Sequence, residues 1–238
     1  MYWKNMQYPK HVAIIPDGNR TRAKENNKSV QEAYMISYQR GVELIEYTFT
    51  QTNISVFTLR WLSTENAQKR PAEEYNFLMT MYKLIDEDLD NILLKNKVNF
   101  KRIGNPDGIT EDFKTYLDEK TKKCACDSDK YFVFAINYGW RDEIIRGIHT
   151  LAEQWIDMKS LDEDTLSKSL DLGNIPNIDL VVRTKWDKAQ RTSWFMSWRI
   201  GYAELYFTDI KCPALDTTEY QKALDWFDSV AQKRNFGK

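Results

Sequence analysis

The residues with the most chemical content gather at Asp17-Gly18-Asn19-Arg20-Thr21-Arg22 and between Arg183 and Arg191. Asp17 is a hard anionic oxygen donor. Gly18 lets backbone amides come close to a ligand. Arg20, Arg22, Arg183 and Arg191 carry forked donors that match phosphate oxygens. A carboxylate among arginines suits a phosphate bridged by magnesium. The same residues would also suit an Asp-Gly turn with surface salt bridges, since short motifs recur by chance. With 2 His and 3 Cys, the chain has little material for a zinc cluster or a Ser-His-Asp triad. A bound metal must then have oxygen ligands, which points to Mg2+.

Lys and Arg number 34 against 35 Asp and Glu. No global field recruits nucleic acid or anionic lipid. Cys124, Cys126 and Cys212 form an odd set with Cys-Ala-Cys spacing, neither a disulfide framework nor a usual zinc site. A reduced, cytoplasmic protein is expected. Met1 to Lys10 lack the basic-then-apolar pattern of a secretory signal. No stretch approaches the roughly 18 apolar residues of a membrane span, so membrane contact is at most peripheral.

Six short apolar runs read as strands: His11–Pro16, Ile54–Trp61, Val98–Ile103, Tyr131–Asn137, Ile178–Arg183 and Ala203–Asp209. Several are almost continuously apolar, as strands covered on both faces should be. Helical periods lie between them, the clearest after Pro71, where Tyr75, Leu78, Met79, Tyr82, Ile85, Leu89, Ile92 and Leu93 share one face. The alternation predicts an α/β fold: a single domain over 1–238 with a mostly parallel six-stranded sheet flanked by helices. Ligands bind such sheets beyond the carboxyl ends of the strands. Those ends carry Asp17 to Arg20, Ser63 to Asn66, Gly104-Asn105, Asn137 to Gly139, and Arg183 with Lys185, Lys188 and Arg191. Trp194, Phe195, Trp198 and Tyr202 have approximate helical spacing, which predicts core packing. Tyr34 and His149 read as packing residues, and Asp157–Asp171 as a charged surface excursion.

Together these pieces resemble the cis-prenyltransferases, the family of undecaprenyl diphosphate synthase. His11-Val-Ala-Ile-Ile-Pro-Asp17-Gly18-Asn19 is similar to its opening motif. Leu62-Ser63-Thr64-Glu65-Asn66 with Arg70-Pro71 resembles the second. Asn137-Tyr138-Gly139-Trp140-Arg141-Asp142-Glu143-Ile144 resembles the third. Arg183-Thr184, Arg191-Thr192-Ser193-Trp194-Phe195, Trp198 and Tyr202 to Phe207 resemble the fourth. The resemblance implies a magnesium-dependent enzyme that joins isopentenyl diphosphate, or another prenyl diphosphate, to an allylic prenyl diphosphate. It implies that Asp17 holds the metal with help from Glu204. Arg183, Arg191 and Ser193 would bind the homoallylic diphosphate. Ser63, Glu65, Asn66 and Arg70 would belong to a loop that closes over the substrates. Asn19 and Asn66 would orient the leaving group or the departing proton. Arg234-Asn235-Phe236-Gly237 resembles a tail that reaches across a homodimer.

The departures are concentrated. The family usually continues Asp-Gly-Asn with Gly-Arg-Trp-Ala; this chain has Arg20-Thr21-Arg22-Ala23. The family's Gly-His pair falls at Ala33-Tyr34. Its Arg-Thr-Gly-Gly-Glu-x-Arg has become Arg183 to Arg191, longer by two residues. The first two changes touch the allylic site, so Arg20 or Arg22 is expected to replace the missing arginine, with an unusual donor or an irregular linkage as a consequence. A second reading takes the chain as a noncatalytic partner subunit of a heteromeric cis-prenyltransferase.

Overall fold

The computed structural model describes residues 6–84, 86–185 and 190–233. The six apolar runs become β1 (His11–Ile15), β2 (Val56–Arg60), β3 (Asn99–Ile103), β4 (Tyr131–Ala135), β5 (Leu180–Arg183) and β6 (Glu204–Phe207). They form one sheet in the order β3-β4-β2-β1-β5-β6, with every pairing parallel. The near-continuous apolarity has a plain cause. Val12, Ile14, Phe57, Leu59, Phe132, Phe134, Leu180 and Val182 face one buried cluster. Ala13, Ile15, Val56, Val133, Ala135 and Val181 face another. Both faces are covered, so neither set of alternate residues needs to be polar.

The helices are α1 (Asn19–Glu25), α2 (Val30–Gln51), α3 (Thr64–Lys69), α4 (Ala72–Leu84), α5 (Asp86–Lys95), α6 (Glu111–Lys123), α7 (Trp140–Glu153), α8 (Glu163–Ser169) and α9 (Thr217–Ala231). Ser29 and Glu32 start α2 with a reciprocal capping box, which satisfies two otherwise orphaned backbone donors. The stripe after Pro71 divides between α4 and α5, where Leu78, Met79, Tyr82, Leu89 and Leu93 are buried. Ile85 lies outside the described residues.

One expectation fails here. The four aromatics Trp194, Phe195, Trp198 and Tyr202 do not pack together in the core, because the segment from Ser193 to Tyr202 is a series of turns. Ser193, Trp194 and Met196 have φ of 49°, 62° and 46°, the left-handed region that a right-handed helix excludes. Of its four aromatics only Phe195 joins the core, while Trp194 is 47% and Tyr202 86% exposed. The Trp198 indole N–H donates to Ser167 Oγ at 2.8 Å.

The strand order positions the site. After β1 the chain turns towards β2; after β5 it turns towards β6. These connections leave on opposite sides, so a crevice opens beyond the carboxyl ends of β1 and β5. Ile15 is in register with Arg183, so Asp17 emerges directly beside Arg183.

Candidate active site

A cleft of about 350 Å³ fills that crevice. Its floor is the end of β1. The Asp17 N–H donates to Thr184 Oγ1 at 2.7 Å, and the Thr184 hydroxyl donates back to the Asp17 carbonyl at 2.8 Å. The Cys212 N–H donates to the same carbonyl at 2.9 Å. These main-chain bonds fix the residue, and its carboxylate, 42% exposed, meets Arg183 at 3.2 Å. Gly18 has φ of 105°, and a Cβ there would stand 2.8 Å from Lys211 Cβ. Conformation and space both demand glycine. Asn19, Arg20 and Thr21 line the cleft, and Asn19 Oδ1 is buried with no hydrogen-bond partner.

Arg22 does not join them. It borders a separate depression with Lys28, Arg40 and Pro213. The sequence offers Arg20 or Arg22, and of the two this stretch brings Arg20 into the cleft. It is the first turn of α1, where residues two apart point to nearly opposite sides.

The second wall comes from α2, α3 and α4. Ser63 Oγ accepts the Asn66 N–H at 3.1 Å and caps α3, which turns Ser63, Glu65 and Asn66 into the cleft. Arg70 donates to Tyr34 Oη at 2.7 Å and to Glu74 Oε1 at 3.0 Å. Tyr34 donates to Glu74 Oε1 at 2.7 Å. Arg20 Nε lies 3.9 Å from the same oxygen. Burial pushes the Tyr34 phenol up to about 12, so it stays protonated and donates. Tyr34 is therefore part of a polar wall as well as a packing residue, whereas His149 is exposed and remote from the cleft.

The third wall is β5 with the turns after it. Arg183 donates to Ser193 Oγ at 2.7 Å and to the Arg191 carbonyl, drawing 191–193 over the cleft. Lys185 also lines it; Lys188 lies outside the described residues. Sequence reasoning missed Arg60, Trp61 and Ser37, which line the cleft too. Arg60 sits inside an apolar strand run, and only its position as the last residue of β2 would have flagged it.

Two expected site residues are not brought in. Glu204 opens β6 in register with Leu180, while Arg183 is level with Phe207. Three residues of strand, about 10 Å, separate the two levels. Glu204 thus sits towards the amino end of the sheet, away from Asp17 of the same chain. Arg234 lies outside the described residues. Among the described residues no group of three or more His, Cys, Asp or Glu could hold a metal. One carboxylate facing a cationic cleft still fits magnesium arriving on a diphosphate, because that ion keeps waters and shares substrate phosphates.

The charge of the cleft is lopsided. Arg20, Arg60, Arg70, Arg183, Lys185 and Arg191 line it against Asp17 and Glu65. Such an excess of positive charge calls for a polyanion.

Behind α3 lies a buried acid. Tyr138 donates to Glu143, and the Asp171 N–H donates to it at 3.0 Å. Burial, then the Asp171 charge, pushes the Glu143 carboxyl up to about 7 from 4.5. Tyr138 exchanges main-chain bonds with Leu62 and Thr64, so this acid supports the start of α3. A raised carboxyl pKa stabilises the fold below the unfolded value, and that contribution is lost as pH rises from 4.5 to about 7. Glu143→Gln should abolish this slope and gain about 2–3 kcal/mol on the parent at pH 8. Urea unfolding of both proteins from pH 4 to 8 checks it; a constant difference across that range would contradict it.

Comparison with known proteins matches the same span. The family model described as "Putative undecaprenyl diphosphate synthase" matches residues 15–237. An isoprenyl transferase of Wolinella succinogenes is 35% identical, covering 96% of both chains. A tritrans,polycis-undecaprenyl-diphosphate synthase (GGDP specific) of Sulfolobus acidocaldarius is 32% identical over 98% of this chain and 90% of its own. Among solved structures, lavandulyl diphosphate synthase from Lavandula x intermedia, in complex with dimethylallyl diphosphate, superposes with a TM-score of 0.87. It is 27% identical and covers 97% of this chain and 99% of its own.

Proposed function

This chain belongs to the cis-prenyltransferase family and is a prenyltransferase that condenses isopentenyl diphosphate with an allylic prenyl diphosphate, and we propose that the cleft beyond β1 and β5 performs that condensation. The observation that carries the assignment of the site is its six cations against two carboxylates, which suits two diphosphates side by side. The donor's diphosphate lies against Arg20, Arg70 and Gly18. The second substrate's lies against Arg183, Arg191 and Ser193. Asp17 would hold Mg2+, which would supply charge neutralisation to the leaving diphosphate. Glu65, with Ser63, belongs to the wall that excludes water when the substrates are in place. The allylic carbon–oxygen bond breaks, the double bond of the second substrate forms the new carbon–carbon bond, and one proton leaves. Asn19, with its unpartnered buried oxygen, and Asn66 orient the leaving group or the departing proton.

The test is product extraction after incubation with isopentenyl diphosphate, Mg2+ and allylic donors of increasing length. Short allylic diphosphates are also offered as second substrates, since the Lavandula relative was solved with dimethylallyl diphosphate. A magnesium-dependent prenyl diphosphate is expected; no product with any pair would defeat the reading. The partner-subunit alternative has no support in this site.

The donor wall gives a sharper expectation. Arg20→Ala should raise the donor KM about tenfold, Arg22→Ala should leave it within about twofold, and Thr21→Arg should not raise activity. Steady-state kinetics checks all three, and equal losses at Arg20 and Arg22 would contradict the donor wall.

We also assign a homodimer, supported by the Arg234 to Gly237 resemblance and by exposed Leu205 and Tyr202 at the β6 edge. Light scattering should give twice the chain mass, and deleting 234–238 should remove activity; an active, truncated monomer would contradict both. Among the described residues no helix is long and apolar enough to cross a membrane. The unpaired Cys126 and Cys212 support a reducing, cytoplasmic setting.

A further inference from the structure

Arg60 ends β2, is 8% exposed and lines the cleft beside Arg183 and Ser193. Its Nη2 donates to the Ser193 carbonyl at 2.8 Å, and its Nη1 reaches the Thr192 carbonyl at 3.4 Å. Both acceptors are neutral, and they occupy two of five N–H groups. Asp17, the carboxylate at this end of the cleft, is engaged by Arg183 at 3.2 Å. Glu65 acts on Arg60 only through space and is itself bonded to Lys69, so among the described residues no carboxylate is bonded to Arg60. Burial, then repulsion from Arg183, pushes Arg60 down to about 10. A buried cation without a bonded ion partner is costly, and two carbonyl contacts with the Phe195 ring 5.6 Å away leave its charge unneutralised. A ligand anion would turn that cost into binding.

We propose that Arg60 is a further binding residue for the diphosphate of the second substrate, acting with Arg183, Arg191 and Ser193. The identity of the ligand rests on the prenyltransferase reading; its anionic class rests on the charges alone. The second substrate is assigned because Arg60 is bonded to the 192–193 main chain. The donor wall of Arg20, Tyr34 and Arg70 is held together separately through Glu74.

The probe is isopentenyl diphosphate without any donor, so no turnover occurs, with inorganic pyrophosphate as the headgroup control. Calorimetry with magnesium compares the parent with Arg60→Met. Affinity for isopentenyl diphosphate should fall ten- to a hundredfold, while ligand-free Tm stays level or rises because an unpaired buried charge has gone. In turnover, the second-substrate KM should rise and the donor KM should not. Unchanged affinity overturns the proposal. So does a lower ligand-free Tm with both KM values raised equally, the mark of a mere brace for 192–193. If Arg60→Met fails to fold, Arg60→Lys decides. It keeps the charge but lacks the fork, so three- to tenfold weaker binding is expected and parental affinity overturns the proposal. If the chain makes no prenyl product, pyrophosphate binding still reports on Arg60, and the two failures remain distinguishable.

Discussion

Asp17→Asn is expected to lose turnover by about a hundred- to a thousandfold while keeping its fold. The contacts that anchor residue 17 are main-chain bonds to Thr184 and Cys212, which asparagine retains. The substitution removes the carboxylate proposed to hold magnesium and also frees Arg183 from its 3.2 Å partner. In metal-free buffer the variant should therefore bind inorganic pyrophosphate at least as tightly as the parent. Turnover and anion affinity should move in opposite directions. A variant that loses both, or one that turns over normally in excess chelator, would contradict the role assigned to Asp17.

Arg183→Ala should cut kcat/KM for the second substrate by about a hundredfold or more. A charge-assisted hydrogen bond is worth about 1.5–3 kcal/mol, roughly ten- to a hundredfold. Arg183 does more than bind, because it also holds Ser193 Oγ and the Arg191 carbonyl. Its removal loosens the segment that carries Arg191 and Ser193, the other two proposed diphosphate contacts. Arg191→Ala should cost less, about tenfold, because Arg191 is exposed. Equal effects, or an unchanged second-substrate KM for Arg183→Ala, would refute this order.

Much of the fold was legible because parallel strands buried on both faces leave apolar runs that survive without context. All six runs became strands, shortened at their ends. The carboxyl-end rule then placed Asp17, Ser63 and Arg183 on one rim from the sequence alone. What failed did so for local reasons. Arg22 was as good a candidate as Arg20 in the sequence, yet α1 begins at Asn19 and rotates the two apart. Glu204 was assigned from a motif, although its place at the start of β6 puts it towards the opposite end of the sheet. Trp194 to Tyr202 had helical spacing, but left-handed Trp194 and Met196, with Ser193 just before them, break it into turns, and spacing carries no sign of φ. Arg60 was hidden because it falls inside the apolar run Ile54–Trp61, and nothing in the run shows that the strand stops at Arg60 and turns it into the cleft.

The seam between β1 and β5 has a bearing on how long the protein lasts. Asp17 and Arg183 lie 166 positions apart in sequence, and they meet only when β5 docks beside β1. Closing so large a loop is entropically slow, and contacts of this range form late. A diphosphate gripped from both sides of the seam binds only the closed chain. At a hundred times its Kd it would hold the chain shut by about 2.7 kcal/mol, lowering the population of openings that proteases attack about a hundredfold. With the proposed binding mode, substrate supply and survival of the enzyme are tied together: a chain starved of isoprenoid precursors is then also the chain expected to be most readily degraded.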